Sequence, residues 1–153
     1  MSEHRITLTV NGTRRDASVE SRMSLADLLR EPLGLTGTHL ACEHGVCGAC
    51  TVLLDGEPVR SCLLLGVQAD GHQVETIEGV GWPDALHPLQ QALRDTHAFQ
   101  CGFCTPGFLM TAVALLRENP SPSETEVREA LSGNICRCTG YESIVRGVLR
   151  AAT

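Results

Sequence analysis

Cys42-Glu43-His44-Gly45-Val46-Cys47-Gly48-Ala49-Cys50 places three thiols within nine residues, and a fourth, Cys62, follows after eleven more. Three thiols this close need a tightly curved loop. Gly45 and Gly48 permit positive φ there and let backbone N–H groups approach whatever the thiols hold. The regular elements of this half of the chain must wrap around that loop.

Upstream, Ile6, Leu8 and Val10 alternate with polar residues, Asn11-Gly12 is a two-residue hairpin turn, and Asp16 to Val19 return as a second strand. Ser24 with Asp27 caps a short helix whose buried face is Leu25, Leu28 and Leu29, and Gly34 and Gly37 are expected to end it. Downstream, Thr51 to Leu54, the Asp55-Gly56 turn and Pro58 to Arg60 read as another hairpin, and Gln73 to Ile77 as a last strand. This half is α+β, a small mixed sheet covered by one helix.

Two glycines and a proline in 78–84 mark a linker, so the expected domains are 1–77 and 85–153. From Pro88 the pattern becomes helical, beginning with Leu89, Ala92 and Leu93. A second helix should follow Cys104, with Thr105 as cap and Pro106 as first residue. Phe108, Leu109, Ala112, Val113, Leu115 and Leu116 form its apolar stripe up to Asn119-Pro120. Ser123 with Glu126 opens a third helix that Gly133 ends, and Thr139 with Glu142 opens a fourth lined by Ile144, Val145, Val148 and Leu149. The second half is an all-α four-helix bundle.

The first cysteine set, Cys42-x4-Cys47-x2-Cys50 and Cys62, has the spacing of plant-type 2Fe-2S ferredoxins. A tetrahedral zinc site is the alternative, although zinc modules usually pair two short knuckles. His44 lies in the loop and reads as a solvated residue. The second set, Cys101-x2-Cys104 and Cys136-x-Cys138, is separated by 31 residues, enough for two antiparallel helices and a turn. Each pair precedes a predicted helix N-terminus, whose free N–H groups suit an anionic centre. Spacing alone leaves a zinc staple open here. His4, His39, His72, His87 and His97 show no metal spacing and read as surface or packing residues. No Ser/His/Asp arrangement, nucleotide-binding glycine loop or carboxylate pair stands out, so no catalytic residue is expected.

Eighteen acidic against twelve basic side chains give a formal charge of -6, which argues against nucleic acid and anionic membranes. Hydrophobic residues make up 42% of the 153, which suits a compact soluble chain. Two domains this small are marginal without a bound centre, so apo protein should fold poorly. Met1 to Val10 carries no signal pattern and no apolar run is long enough to span a membrane, which places the chain in the cytoplasm. Four disulfides are the oxidising alternative, disfavoured by the close C-x2-C and C-x-C spacings.

At the first nonapeptide, at Gln100-Cys101-Gly102-Phe103-Cys104-Thr105-Pro106-Gly107 and at Gly133-Asn134-Ile135-Cys136-Arg137-Cys138-Thr139-Gly140-Tyr141, the sequence resembles the small iron–sulfur subunit of xanthine oxidase family molybdenum hydroxylases. The resemblance covers essentially the whole chain. It implies a plant-ferredoxin-like (β-grasp) domain and a four-helix domain, each holding one 2Fe-2S cluster on its four cysteines. It also implies a large molybdopterin subunit, usually a medium FAD subunit, and pairing of two such trimers. By the same analogy the bundle cluster lies nearest the pterin, Gln100 and Cys138 contact it, and the other cluster faces FAD. Substrate chemistry then sits on the large subunit. The competing readings are a freestanding two-cluster ferredoxin and a zinc-stapled interaction module.

Overall fold

The computed structural model describes residues 2–152, so the outer bounds of the two expected domains, Met1 and Thr153, lie outside the described residues. Strand β1 (Glu3–Val10) pairs antiparallel with β2 (Thr13–Glu20) across a turn in which Asn11 and Gly12 have φ of 49° and 78°. Those two positive values are what a tight primed hairpin turn requires. Strands β3 (Thr51–Leu54) and β4 (Glu57–Arg60) repeat the device at Asp55-Gly56. Strand β5 (Gln73–Glu75) then enters the middle, parallel to β1 and antiparallel to β3, giving the order β2-β1-β5-β3-β4. The expected strand to Ile77 stops at Glu75, because Ile77–Gly79 tightens into a 3-10 turn.

Helix α1 (Leu25–Arg30) lies on one face of this sheet, capped by the Ser24 hydroxyl, which accepts from Asp27 N–H at 3.0 Å. It ends at Arg30, before the glycines expected to stop it. The chain beyond is held instead by Arg30, which donates to the Thr36 and Thr38 carbonyls, both at 2.8 Å. Leu8, Val19, Leu25, Leu28, Val52 and Val74 form the core between helix and sheet.

The helical half comprises α2 (Pro88–Asp95), α3 (Thr105–Glu118), α4 (Glu124–Leu131) and α5 (Glu142–Ala151). Two start signals differ from expectation. Thr105 is the first residue of α3 and makes no side-chain cap, Cys104 being the flanking residue. Thr139 accepts from Tyr141 N–H at 3.3 Å, and α5 begins after Tyr141, whose φ is 69°. The apolar stripe foreseen for α3 is also too narrow a description. Pro106 through Val113 are all buried, because α3 is the central helix.

Leu53 explains why. In a strand, neighbouring side chains point to opposite faces. Val52 joins the α1 core while Leu53, fully buried, joins Phe108, Met110, Val127 and Ile144 in the helical core. The sheet is therefore covered by α1 on one side and by α3 on the other, and the two halves share strand β3. Arg117 of α3 also makes a bidentate contact to Glu75 of β5, at 2.8 Å for each oxygen. Both partners are partly exposed, so that pair contributes no more than about 1 kcal/mol.

The start of α2 depends on a neutral imidazole. His87 Nδ1 accepts from Leu89 N–H at 3.2 Å, and burial, then the Arg117 charge, lowers its pKa from the ordinary 6.5. The unfolded chain therefore binds this proton more readily than the folded one, and stability should fall as pH drops below 6.5. Comparing urea unfolding of the chain and of His87→Asn between pH 5 and pH 7.5 checks this, the variant losing that part of the slope.

Candidate metal centres

The loop after α1 folds back on itself through Gly45 and Gly48, with φ of 82° and 76°. It brings the first four thiols together in two pairs, Cys42 with Cys47 and Cys50 with Cys62. In the helical half Cys101 and Cys138 approach at 3.4 Å between sulfurs, and Cys104 pairs with Cys136. All eight sequence-predicted cysteines thus converge, four to a site. No three or more His, Cys, Asp or Glu side chains among the described residues close on a single-ion position. Two-by-two pairing is what a two-iron cluster requires, each iron taking two thiolates beside the bridging sulfides.

The surroundings are built for sulfur anions. Cys47 N–H points at Cys42 Sγ (3.4 Å), Ala49 N–H at Cys47 Sγ (3.5 Å) and Phe103 N–H at Cys101 Sγ (3.5 Å). Backbone N–H groups of His44 and Cys47 lower the Cys42 pKa to about 6. Cys101 is lowered by Phe103 N–H and by its partner Cys138, which is itself raised by that contact. Burial pushes Cys62 up to about 11 and Cys104 up to about 12, with Cys50 and Cys136 adding to the effect. Burial also opposes ionisation of Cys136, but the Thr139 hydroxyl and N–H prevail and lower it. Each site thus holds a thiol that a metal must deprotonate, Cys62 in one and Cys104 in the other, so loading releases protons. The Thr105 hydroxyl, at the start of α3 beside Cys104, is buried with no partner among the described residues. Paired thiols, N–H donors aimed at sulfur and positive-φ glycines together fit 2Fe-2S clusters.

Sequence spacing placed a helix start behind each pair of the second set, and only Cys104 has one directly behind it. Beyond Cys138 the turn at Thr139–Tyr141 intervenes, and its Tyr141 hydroxyl accepts from Cys136 N–H at 3.0 Å. Gln100, which the resemblance places against the pterin, donates from Nε2 to the Cys138 carbonyl at 2.9 Å. His44 is an exposed loop residue hydrogen-bonded to the Cys42 carbonyl at 2.6 Å. His39 is a packing residue, as one of the two expected readings had it, with its ring 4.8 Å from that of Phe103 and a 2.7 Å hydrogen bond to the Phe103 carbonyl that bridges the two halves.

The residues that join the sites were missed. Ile135 N–H donates to the Cys47 carbonyl at 2.9 Å, Asn134 reaches Gly48, and a Cβ on Gly107 would sit 2.2 Å from the Gly48 oxygen. Their sequence signal was their place in the motifs at 100–107 and 133–141, which assigned them no role. Among the described residues no helix is long and apolar enough to cross a membrane.

Residues 8–76 match the 2Fe-2S iron-sulfur cluster binding domain and residues 76–149 the [2Fe-2S] binding domain. The nicotine 6-hydroxylase small subunit of Paenarthrobacter nicotinovorans is 58% identical over 146 residues, covering 95% of this chain and 88% of the relative. The crystal structure of quinoline 2-oxidoreductase from Pseudomonas putida 86 superposes with a TM-score of 0.95 at 55% identity, over 98% of this chain and 94% of that one. Aldehyde oxidoreductase from Desulfovibrio desulfuricans ATCC 27774 gives a TM-score of 0.95 at 49% identity over 97% of this chain. That match covers 17% of the relative, where the same unit is part of a much longer polypeptide.

A Cβ on Gly48 would meet the Gly133 oxygen and Asn134 Nδ2 at 2.6 Å, in a backbone conformation that costs an L-residue about 1–2 kcal/mol. Gly48→Ala should therefore lower iron and labile sulfide in the purified protein, with loss from the Cys42 to Cys62 set first, as read by metal analysis and EPR. Undiminished iron would show that the glycine conformation is dispensable.

Proposed function

This chain belongs to the small 2Fe-2S subunits of molybdenum hydroxylases, and from that premise we propose that it relays single electrons from a molybdopterin-bearing large subunit to an FAD-bearing medium subunit. It is an iron–sulfur electron-transfer subunit of such hydroxylase and dehydrogenase complexes, with two 2Fe-2S binding domains. The residues we assign as ligands are Cys42, Cys47, Cys50 and Cys62 for one cluster and Cys101, Cys104, Cys136 and Cys138 for the other. Each bound cluster supplies reversible one-electron storage.

The observation that carries the relay is the 2.9 Å hydrogen bond from Ile135 N–H to the Cys47 carbonyl. Cys47 belongs to one ligand set, and Ile135 is covalently joined to Cys136 of the other. One hydrogen bond therefore separates the two sets through the chain. At the far ends the sites open outward. Cys101 and Cys138 are exposed, with Gln100 fastened to the Cys138 carbonyl, and we assign this edge and these two residues to the pterin. Phe103 and Tyr141, in the loops that carry Cys101 and Cys138, are exposed, as are Val46, Leu63 and Leu65 beside Cys47 and Cys62. Exposed apolar surface beside each thiol set suits a partner subunit at each, the second being the FAD subunit. We assign oxidation of the organic substrate to the large subunit. Pairing of two trimers and a cytoplasmic location complete the assignment.

Purification from the native cell tests this directly. The chain should elute with molybdopterin and FAD, and should contribute four iron, four labile sulfide and two distinct reduced EPR signals. A chain that emerges alone at every salt concentration would remove the subunit role, and two zinc per chain would remove the relay. Cys138→Ser should disturb the bundle signal while leaving that of the Cys42 to Cys62 site intact, and simultaneous loss of both would contradict two independent sites.

A further inference from the structure

Asn134 is 4% exposed, lies between the two thiol sets and belongs to neither. Its Nδ2 donates to the Gly48 carbonyl at 3.2 Å, and its Oδ1 accepts from the Thr111 hydroxyl at 3.0 Å. On one side of it the Gly133 carbonyl accepts from Arg60 at 2.6 Å. On the other, Ile135 N–H donates to the Cys47 carbonyl at 2.9 Å. Arg60 also donates to the Thr51 hydroxyl at 2.6 Å, and that hydroxyl donates to the Gly48 carbonyl at 2.7 Å. Residues 133–135 are thus tied, one after another, to the stretch 47–51.

A buried amide is costly to keep unless every polar atom is matched, and an apolar side chain of similar volume would fill the space without that demand. What the amide adds is register. Helical packing tolerates small slides, because apolar contacts are non-directional. Hydrogen bonds to one carbonyl and one hydroxyl hold only where the atoms are aligned. The aligned carbonyl is that of Gly48, the neighbour of Cys47, and the residue after the amide's own neighbour is Cys136.

We propose that Asn134 is a positioning residue for electron transfer between the two clusters. It holds the 133–135 segment against the Gly48 peptide, so that the Cys47 carbonyl and the Ile135 N–H stay in contact. This rests on the two-cluster relay above. Without the amide all eight thiols keep their places within their own loops, and what loosens is the distance and contact between the loops.

The test uses the native complex, fully reduced. It reads the EPR splitting that arises from magnetic interaction of the two reduced clusters, together with the rate at which they equilibrate after flash reduction. Asn134→Leu keeps the branched shape with bulkier methyl ends and removes both hydrogen bonds, while Thr111→Val keeps shape and removes the hydroxyl with its contacts to Asn134 Oδ1 and the Gly107 carbonyl. Asn134→Leu should retain four iron and both individual signals, with the splitting lost or shifted and equilibration slowed. Thr111→Val should change both in the same direction and by less. Wild-type splitting and rate in Asn134→Leu would overturn the proposal. If that variant fails to fold, Thr111→Val decides, an altered splitting supporting the proposal and an unaltered one overturning it. A wild-type complex with a single iron–sulfur signal would instead remove the relay reading on which the proposal stands.

Discussion

The Gly48 carbonyl accepts from the Thr51 backbone and hydroxyl and from the Asn134 amide, and the backbone of Gly107 closes over it. Both glycines are required for opposite reasons. Gly48 needs a φ of 76° to turn the cysteine loop, whereas Gly107 needs no side chain because its helix must touch that loop. Relaxing this contact separates the sheet from the central helix. Whatever lies on either side, including two thiols of each set, would then lose its fixed relation to the other half.

The shared strand follows from the same closeness. Because α3 approaches the loop within backbone contact, it also covers the back of β3, and Leu53 is drawn into the helical core. A small sheet that would otherwise leave one face wet gains a second apolar layer. Each half alone is near the size at which a core is marginal, and the joint packing adds stability that neither supplies by itself. The Glu75–Arg117 pair at the far end of the interface is exposed and adds orientation more than stability.

An acidic chain that gathers eight thiols in two places must offset much negative charge. Three observed devices do so: N–H groups aimed at sulfur, the N-terminus of α3 behind Cys104 and the Thr139 donors on Cys136. The Arg60 guanidinium sits between the two loops and joins them through Thr51 and Gly133. Protons held on Cys62 and Cys104 must leave when metal enters, so assembly and fold are linked.

Much of this was legible one residue at a time. Hairpin turns need positive φ and are written as Asn11-Gly12 and Asp55-Gly56. Caps need a short polar side chain three residues before its partner, as at Ser24 and Ser123. Thiol chemistry needs cysteines at short spacing, which the first set shows unaided and the second shows with the help of family motifs. All of these are local, so periodicity and composition encode them. Helix starts at Thr105 and Glu142 departed from local rules because Cys104 and Tyr141 are held by the thiol site and not by cap preference. The pairing of the thiols, the burial of α3 on every side, the placement of Leu53 and the Asn134 seam join positions distant in sequence, as Gly48 and Asn134 are at 86 residues apart. Only tertiary structure decided them, because such contacts arise when two separately specified surfaces close on one another, and no sequence window contains both.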